Sequence, residues 1–176
     1  MQLIPQIIGL LAVATFLLSY QQKKRKNIIL FNVISRCLYI LQYLLLGAFS
    51  GAVLDILGAV ASVVAGKKHT PFIKKHQTLV IVLMNALIVC AGLVMVFTKE
   101  GWLGLFSLAG VLLHTGAFWL NSEKIIRRIS LAGSPFWFVY NFMSSAYGSA
   151  IGDLLTMGSI LLAMYRHREK SQAIEF

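Results

Sequence analysis

The chain has 176 residues, of which 58% are hydrophobic and only 12% are charged, and its mean hydropathy is +0.77. Soluble domains average about 45–50% apolar and about 25% charged residues, so this composition excludes an ordinary soluble domain and indicates a membrane protein with several spans. The net charge of +10 does not indicate a nucleic-acid partner, because the basic residues lie in short blocks between apolar segments.

Seven apolar segments follow one another along the chain, each close to the roughly 20 residues that a membrane-spanning helix needs. They are about 3–20, 28–48, 50–66, 78–98, 102–120, 129–147 and 149–165. Because lipid offers no partners to backbone polar groups, these spans are predicted to be helices. The first has its basic block after it, which indicates a span that enters with its N-terminus outside and not a cleavable signal peptide.

The loops between these spans alternate between basic and nearly uncharged. Fourteen of the sixteen basic residues fall in the first, third and fifth loops and in the C-terminal tail. The positive-inside rule places those loops and the C-terminus in the cytoplasm, with the N-terminus outside. An even number of spans would break the alternation, so the charge pattern favours seven.

The two halves of the sequence resemble each other. "AVLDILGAVASVVAGKKH" lies over "AIGDLLTMGSILLAMYRH", which matches Asp55 with Asp153. Further upstream, a slightly different offset matches Tyr39 with Tyr140. The sequence therefore predicts an all-α membrane protein of two parallel three-helix repeats joined by a linker helix, a 3+1+3 plan that transporters use. The predicted units are 1–69, 70–99 for the basic loop and linker helix, 100–167, and 168–176 for a cytoplasmic tail.

The segment "TFLLSYQQKKRKNIILFNVISRCLYILQYLLLG" resembles the signature of the SWEET, semiSWEET and PQ-loop superfamily, with Tyr20-Gln21 standing where those proteins have Pro-Gln. The predicted 3+1+3 plan is also similar to theirs. Over nearly the whole chain, the sequence most resembles the YgjV-type family of bacterial inner membrane proteins. The resemblance implies a multi-pass protein of the bacterial inner membrane.

The resemblance also implies where a solute would bind. In sugar-carrying relatives, the third helix of each repeat presents a polar residue to the substrate, and Asp55 and Asp153 fall on those helices. The second helix contributes too, often with a tryptophan. Trp137 lies on that helix in the second repeat, and Arg36 aligns with it in the first. The relatives carry hinge prolines in two helices of each repeat, whereas this chain has only Pro135 at such a place.

Three strongly charged side chains lie within predicted spans: Arg36, Asp55 and Asp153. A charge at a helix centre costs roughly 2.5–3.5 kcal/mol or more, so these residues are expected to face the protein interior. Arg36 would hold an anionic solute with its planar guanidinium, and the aspartates would orient the solute or carry a proton. The alternatives are aspartates that merely favour the positive ends of their helices and a structural ion pair at Arg36. Helix rise leaves about 10 Å between Arg36 and the aspartates, so a direct pair needs extended side chains.

Two further features extend the candidate site. In "FWFVYNFMSS", Trp137, Tyr140 and Asn141 share one helix face, which indicates either a stacking wall with an amide or an ordinary core. His114 is a candidate proton carrier because histidine titrates near neutral pH, although contact between helices is its ordinary role.

The sequence shows no catalytic constellation, so we expect no enzyme, no cofactor and no metal site. Cys37 and Cys90 are expected to be small buried hydrophobes. The leading hypothesis is a facilitator or proton-coupled carrier that binds a small polar solute between the repeats near mid-membrane. The alternative is a non-transporting receptor, scaffold or assembly protein on the same fold. The expected partners are the solute and the lipid bilayer, without nucleic acid, and a homo-oligomer is left open.

Overall fold

A computed structural model of the chain describes residues 3–21, 25–120 and 122–172, and this part is helical throughout. Its helices are α1 (Leu3–Gln21), α2 (Arg25–Leu46), α3 (Phe49–Gly66), α4 (Pro71–Lys75), α5 (Gln77–Met95), α6 (Leu103–Ala117), α7 (Glu123–Met143) and α8 (Tyr147–Gln172), with a π-helical segment, Val96–Glu100, between α5 and α6.

Within the described residues, three helical stretches are long and apolar enough to cross a membrane by length and composition: Ile29–Leu46, Phe49–Gly66 and Gln77–Glu100. Shorter apolar stretches lie in α1, α6 and α8. Large apolar side chains cover the exterior, such as Leu79, Leu83 and Leu87 of α5, whereas buried positions include Arg36 and Gln42. This distribution suits a chain surrounded by lipid, where charged groups must face the protein interior.

The long helices form two groups with the same pattern of contacts. In the first unit, α2 contacts both α1 and α3, and in the second unit α7 contacts both α6 and α8. The two units meet along two seams, α1 against α8 and α3 against α6. If α1, α2 and α3 are taken as equivalent to α6, α7 and α8, the α1–α8 seam is equivalent to the α6–α3 seam. Helix α5 packs against α3 and α6, on the outside of the second seam.

The turn that joins the second and third helix has the same geometry in both units. Gly47 and Ser145 both have positive φ, at 73° and 60°. Just after them, the N–H of Ala48 donates to the carbonyl of Tyr43 at 2.9 Å, and the N–H of Ala146 donates to that of Asn141 at 2.8 Å. These bonds end each α-helix in a Schellman motif, in which one residue adopts the left-handed conformation. The equivalent residues Tyr43 and Asn141 lie 98 positions apart.

Side chains from neighbouring elements cap the third helix of each unit. At the start of α8, the N–H of Gly148 donates to Gln6 Oε1 at 2.9 Å. At the start of α3, the N–H of Ser50 donates to Glu100 Oε1 at 2.9 Å, and the Ser50 hydroxyl donates to the same carboxylate. Both interactions satisfy first-turn N–H groups that have no partner within the helix. They place both turns at one end of the bundle, the turn end, together with Gln6 and Glu100.

The opposite end of the bundle carries the basic loop between α3 and α5. Buried Lys68 donates from Nζ to the carbonyls of Trp119 and Leu120, at 3.0 and 3.1 Å. Its ammonium group thereby satisfies carbonyls after the last turn of α6, where the helix dipole favours a cation. We call this end, with Lys67, Lys68, Lys74 and Lys75, the basic end.

The structure differs from the sequence expectations in local details. The third loop contains a short helix, α4, which begins at Pro71 because proline suits the first position of a helix. The described part thus has eight α-helices, seven long ones and α4. Helix α7 begins at Glu123, about one and a half turns earlier than expected. Cys37 and Cys90 are exposed on their helices, so the expectation that both are buried was wrong.

Close packing at the α1–α8 seam depends on a glycine. A Cβ at Gly152 would overlap the side chain of Val13, whereas a Cβ at Gly158, on the same helix, would meet no atom within 4 Å. We expect Gly152→Ala to lower the melting temperature of the purified protein, with a cost of about 1–3 kcal/mol from overpacking. Gly158→Ala is the matched control and should be neutral or stabilise the helix by up to about 1 kcal/mol. Equal shifts in both variants would contradict this packing.

Candidate functional site

A small cavity lies between the two units, and six helices contribute to its wall. Its volume is about 30 Å³, room for about two water molecules when one needs roughly 10–15 Å³ on this measure. The ten described residues that line it are Phe16, Ser35, Arg36, Tyr39, Tyr43, Asp55, His114, Trp137, Asn141 and Asp153. Polar and charged groups at the centre of a helical membrane protein are the feature by which a functional site is recognised.

Six of the seven residues singled out from the sequence line this one cavity: Arg36, Asp55, His114, Trp137, Asn141 and Asp153. The exception is Tyr140, which lies beside it. The Tyr140 ring makes edge contacts with Tyr43 and Trp137 at 5.8 and 5.9 Å between centroids. The structure therefore brings the candidate residues together from both units, with Tyr140 behind the cavity wall.

Arg36 and Asp55 form a buried ion pair. Arg36 donates from Nη1 to Asp55 Oδ1 and from Nε to Asn32 Oδ1 at 3.1 Å. From helix rise we expected these residues to differ by about 10 Å in depth along the helices. The long arginine side chain spans that distance. Two nitrogens of the guanidinium thus have partners within the first unit, which leaves less of it to hold an anionic solute.

Asp153 has a neutral partner instead. Asn141 donates from Nδ2 to Asp153 Oδ2 at 2.8 Å, and the Tyr43 hydroxyl donates to Asn141 Oδ1 at 2.7 Å. The carboxylate can only accept, so it orients the amide, which in turn fixes Tyr43 as a donor. The chain of hydrogen bonds crosses from α2 of the first unit to α7 and α8 of the second.

His114 reaches the cavity from α6. Its Nε2 lies 3.1 Å from the carbonyl oxygen of Ser130, and since a carbonyl only accepts, Nε2 carries the proton. Its ring also contacts that of Phe16 on α1, at 6.3 Å between centroids. The ring is therefore held between α7 and α1, in a fixed tautomer.

Tyr140 anchors the first turn of α3. Its hydroxyl oxygen accepts from the N–H of Gly51 at 2.7 Å and lies 3.1 Å from Ser50 Oγ. The related position in the first unit is Gln42, which contacts Ser149 at the other seam. Each seam thus has polar contact between the second helix of one unit and the third helix of the other.

The cavity wall repeats at a constant spacing. Eight of its ten residues form four pairs that lie 98 positions apart: Phe16 with His114, Tyr39 with Trp137, Tyr43 with Asn141, and Asp55 with Asp153. The remaining two, Ser35 and Arg36, belong to the first unit only. The spacing matches Tyr39 with Trp137 and not with Tyr140, because α2 and α7 begin 98 positions apart and the positive-φ residues after them do too.

Four cavity residues were missed by the sequence reasoning: Phe16, Ser35, Tyr39 and Tyr43. All but Ser35 are aromatic, and an aromatic residue in an apolar span gives no signal of its own. A search at the constant 98-residue spacing, anchored on Asp55 and Asp153, would have paired Phe16 with His114 and Tyr43 with Asn141. Among the described residues, no group of three or more His, Cys, Asp or Glu side chains could hold a metal ion.

Helices whose exposed surfaces are apolar, packed around a buried polar cavity, define a helical membrane protein. The family model for bacterial inner membrane proteins named Imp-YgjV matches residues 3–171, and the chain belongs to that family. Neither the curated proteins nor the solved structures contain a match.

The buried ion pair predicts a specific pattern of mutant stabilities. Arg36→Met alone or Asp55→Asn alone leaves a buried charge without its partner and should cost about 3–5 kcal/mol. The double variant removes both charges and should recover most of that loss. Melting temperatures of the four proteins in one detergent measure the coupling. Single variants that melt with the wild type, or a double variant whose loss is the sum of the two, would contradict the pair.

Proposed function

We propose that this protein is a membrane carrier, a facilitator or a proton-coupled transporter, for a small polar solute that binds between its two three-helix units. In this proposal the chain has seven transmembrane helices in a 3+1+3 arrangement, with α5 as the linker. The observation that carries it is the cavity wall, which four residues of one unit line together with their equivalents from the other. A site at the interface of two repeats is the usual place for a transported solute.

The orientation in the membrane follows from the two ends of the bundle. The basic end, with Lys67, Lys68, Lys74 and Lys75, would face the cytoplasm. The turn end, with both equivalent turns, would face outside, together with the start of α1. Two units with the same orientation are what a parallel repeat requires, and the similarity to the SWEET and PQ-loop plan supports the same assignment.

The cavity of about 30 Å³ holds water-sized groups and not a whole sugar. A carrier therefore has to open one of its seams to load a larger solute. Each seam contains a polar contact that could be exchanged on opening: Tyr140 with Gly51 at one, and Gln42 with Ser149 at the other. Polar contacts between membrane helices average less than about 1 kcal/mol each, so exchanging them is inexpensive.

The second candidate function is a receptor, scaffold or assembly protein that does not transport. One observation favours it: Arg36 and Asp55 neutralise each other, as they would in a purely structural core. In this case Asp153, Trp137 and Asn141 would need no solute to be stable.

A stability screen separates the candidates. The purified protein is melted with ammonium, carboxylate, zwitterionic and neutral polyol solutes, and stabilising solutes are then tested for uptake into proteoliposomes. A carrier predicts that one class stabilises the protein, by about 2.7 kcal/mol at 100 times its Kd, and enters the liposomes. Asp153→Asn should abolish both effects, whereas Glu100→Gln, which removes a carboxylate outside the cavity, should keep them.

Stabilisation without uptake would support a receptor and contradict the carrier. A screen in which no solute stabilises the protein, with Asp153→Asn melting at or above the wild-type temperature, would favour a scaffold.

A further inference from the structure

One acidic side chain of the cavity wall has no basic partner. Arg36 and Asp55 compensate each other within their ion pair. The ring of His114 is buried against the Ser130 carbonyl and the ring of Phe16, where an unpaired charge would be costly, so its neutral form is favoured. Asp153 receives a hydrogen bond from the neutral amide of Asn141. Among the described residues of the wall, Asp153 is thus the acidic group with no basic side chain beside it, and a bound cation would favour its ionised form.

Aromatic rings make up much of the remaining wall. Phe16, Tyr39, Tyr43 and Trp137 all line the cavity, and three of them are held in place by each other. Tyr43 stacks on Tyr39 and on Trp137, with 6.2 Å between ring centroids in both pairs. Ring faces attract cations within about 6 Å of the centroid. A carboxylate beside fixed aromatic rings attracts a cation through both groups, and both disfavour an anion.

The size of the cavity and the side chains that line it restrict which cations could bind there. One water molecule occupies roughly 10–15 Å³ when cavity volume is measured in this way. The volume of about 30 Å³ therefore accommodates about two non-hydrogen atoms. A metal ion would need several oxygen ligands, and no cluster of three metal-ligating side chains occurs among the described residues. An ammonium group needs one carboxylate and can use ring faces for the rest of its surroundings.

We propose that the cavity binds the ammonium group of a small organic cation, with Asp153 as its counter-ion and the rings of Tyr39, Tyr43 and Trp137 as its walls. This replaces the anionic solute that Arg36 alone suggests, because Asp55 already engages the guanidinium. An organic ammonium ion would then be the substrate class of the carrier, a role that rests on the proposed function. Ammonium binding itself is measurable without transport.

Methylammonium is the probe, since it has two non-hydrogen atoms and one positive charge. The chain has three tryptophans, and the variant Trp102→Phe/Trp119→Phe keeps only Trp137, in the cavity wall. Titration with methylammonium chloride at pH 7 and constant ionic strength should change Trp137 fluorescence in a saturable way. Methanol, a neutral molecule of the same size, and sodium formate, a small anion, should have no saturable effect.

Variants at position 153 in this single-tryptophan protein test the counter-ion. Asp153→Asn keeps the shape and removes the charge, and should weaken methylammonium binding by at least about tenfold, the equivalent of 1.4 kcal/mol. Asp153→Glu keeps the charge and should retain part of the affinity. Glu100→Gln, which removes a carboxylate away from the cavity wall, should bind like its parent. A melting curve for each variant verifies that it is folded.

The proposal is overturned if methylammonium causes no saturable change, if methanol or formate binds as well, or if Asp153→Asn binds with unchanged affinity. Uptake separates this result from the proposed function. Transport of a neutral or anionic solute without ammonium binding would refute the cation and leave the carrier intact. Saturable ammonium binding, with no uptake of any solute into proteoliposomes, would uphold the cation site and refute the carrier.

Discussion

The buried ion pair between Arg36 and Asp55 sets the chemistry of the whole interior. Lipid cannot solvate either charge, so α2 and α3 must pack with these residues facing each other and away from the bilayer. The chain makes room for the guanidinium at Gly58, where a Cβ would overlap Arg36. Because Arg36 is thus engaged, Asp153 on the equivalent helix of the other unit has an amide, and not a cation, as its partner.

Two similar units therefore make an asymmetric cavity. The backbone repeats closely, down to the positive φ of Gly47 and Ser145, but the side chains differ: Tyr43 faces Asn141, and the ring of Phe16 contacts that of His114. A shared backbone fixes where polar groups meet, and the side chains that each unit brings determine the charge and shape of the space. A ligand in such a cavity would contact both units at once, which links its binding to their relative position.

Much of the helical layout could be predicted from the sequence, since apolar runs of span length must be helical in lipid. The location of the cavity residues could also be predicted in part, because a charged side chain within a span must face the protein interior. The contacts across the units could not be predicted. Tyr43 is one aromatic residue among many in apolar spans, and only the folded turn shows that it meets Asn141. The sequence match of Tyr39 with Tyr140 favoured identical residues, whereas the matching starts of α2 and α7 align Tyr39 with Trp137.

If the two units have the same orientation and enclose one cavity, both turns must face the same side of the membrane, which can be measured directly. Single cysteines at exposed Phe49 and Tyr147 mark the two turns, and one at Thr70 marks the basic end, after Cys37 and Cys90 are replaced. A membrane-impermeant maleimide should label positions 49 and 147 in intact spheroplasts, and position 70 only after lysis. Labelling of 49 and 147 from opposite sides would contradict the account.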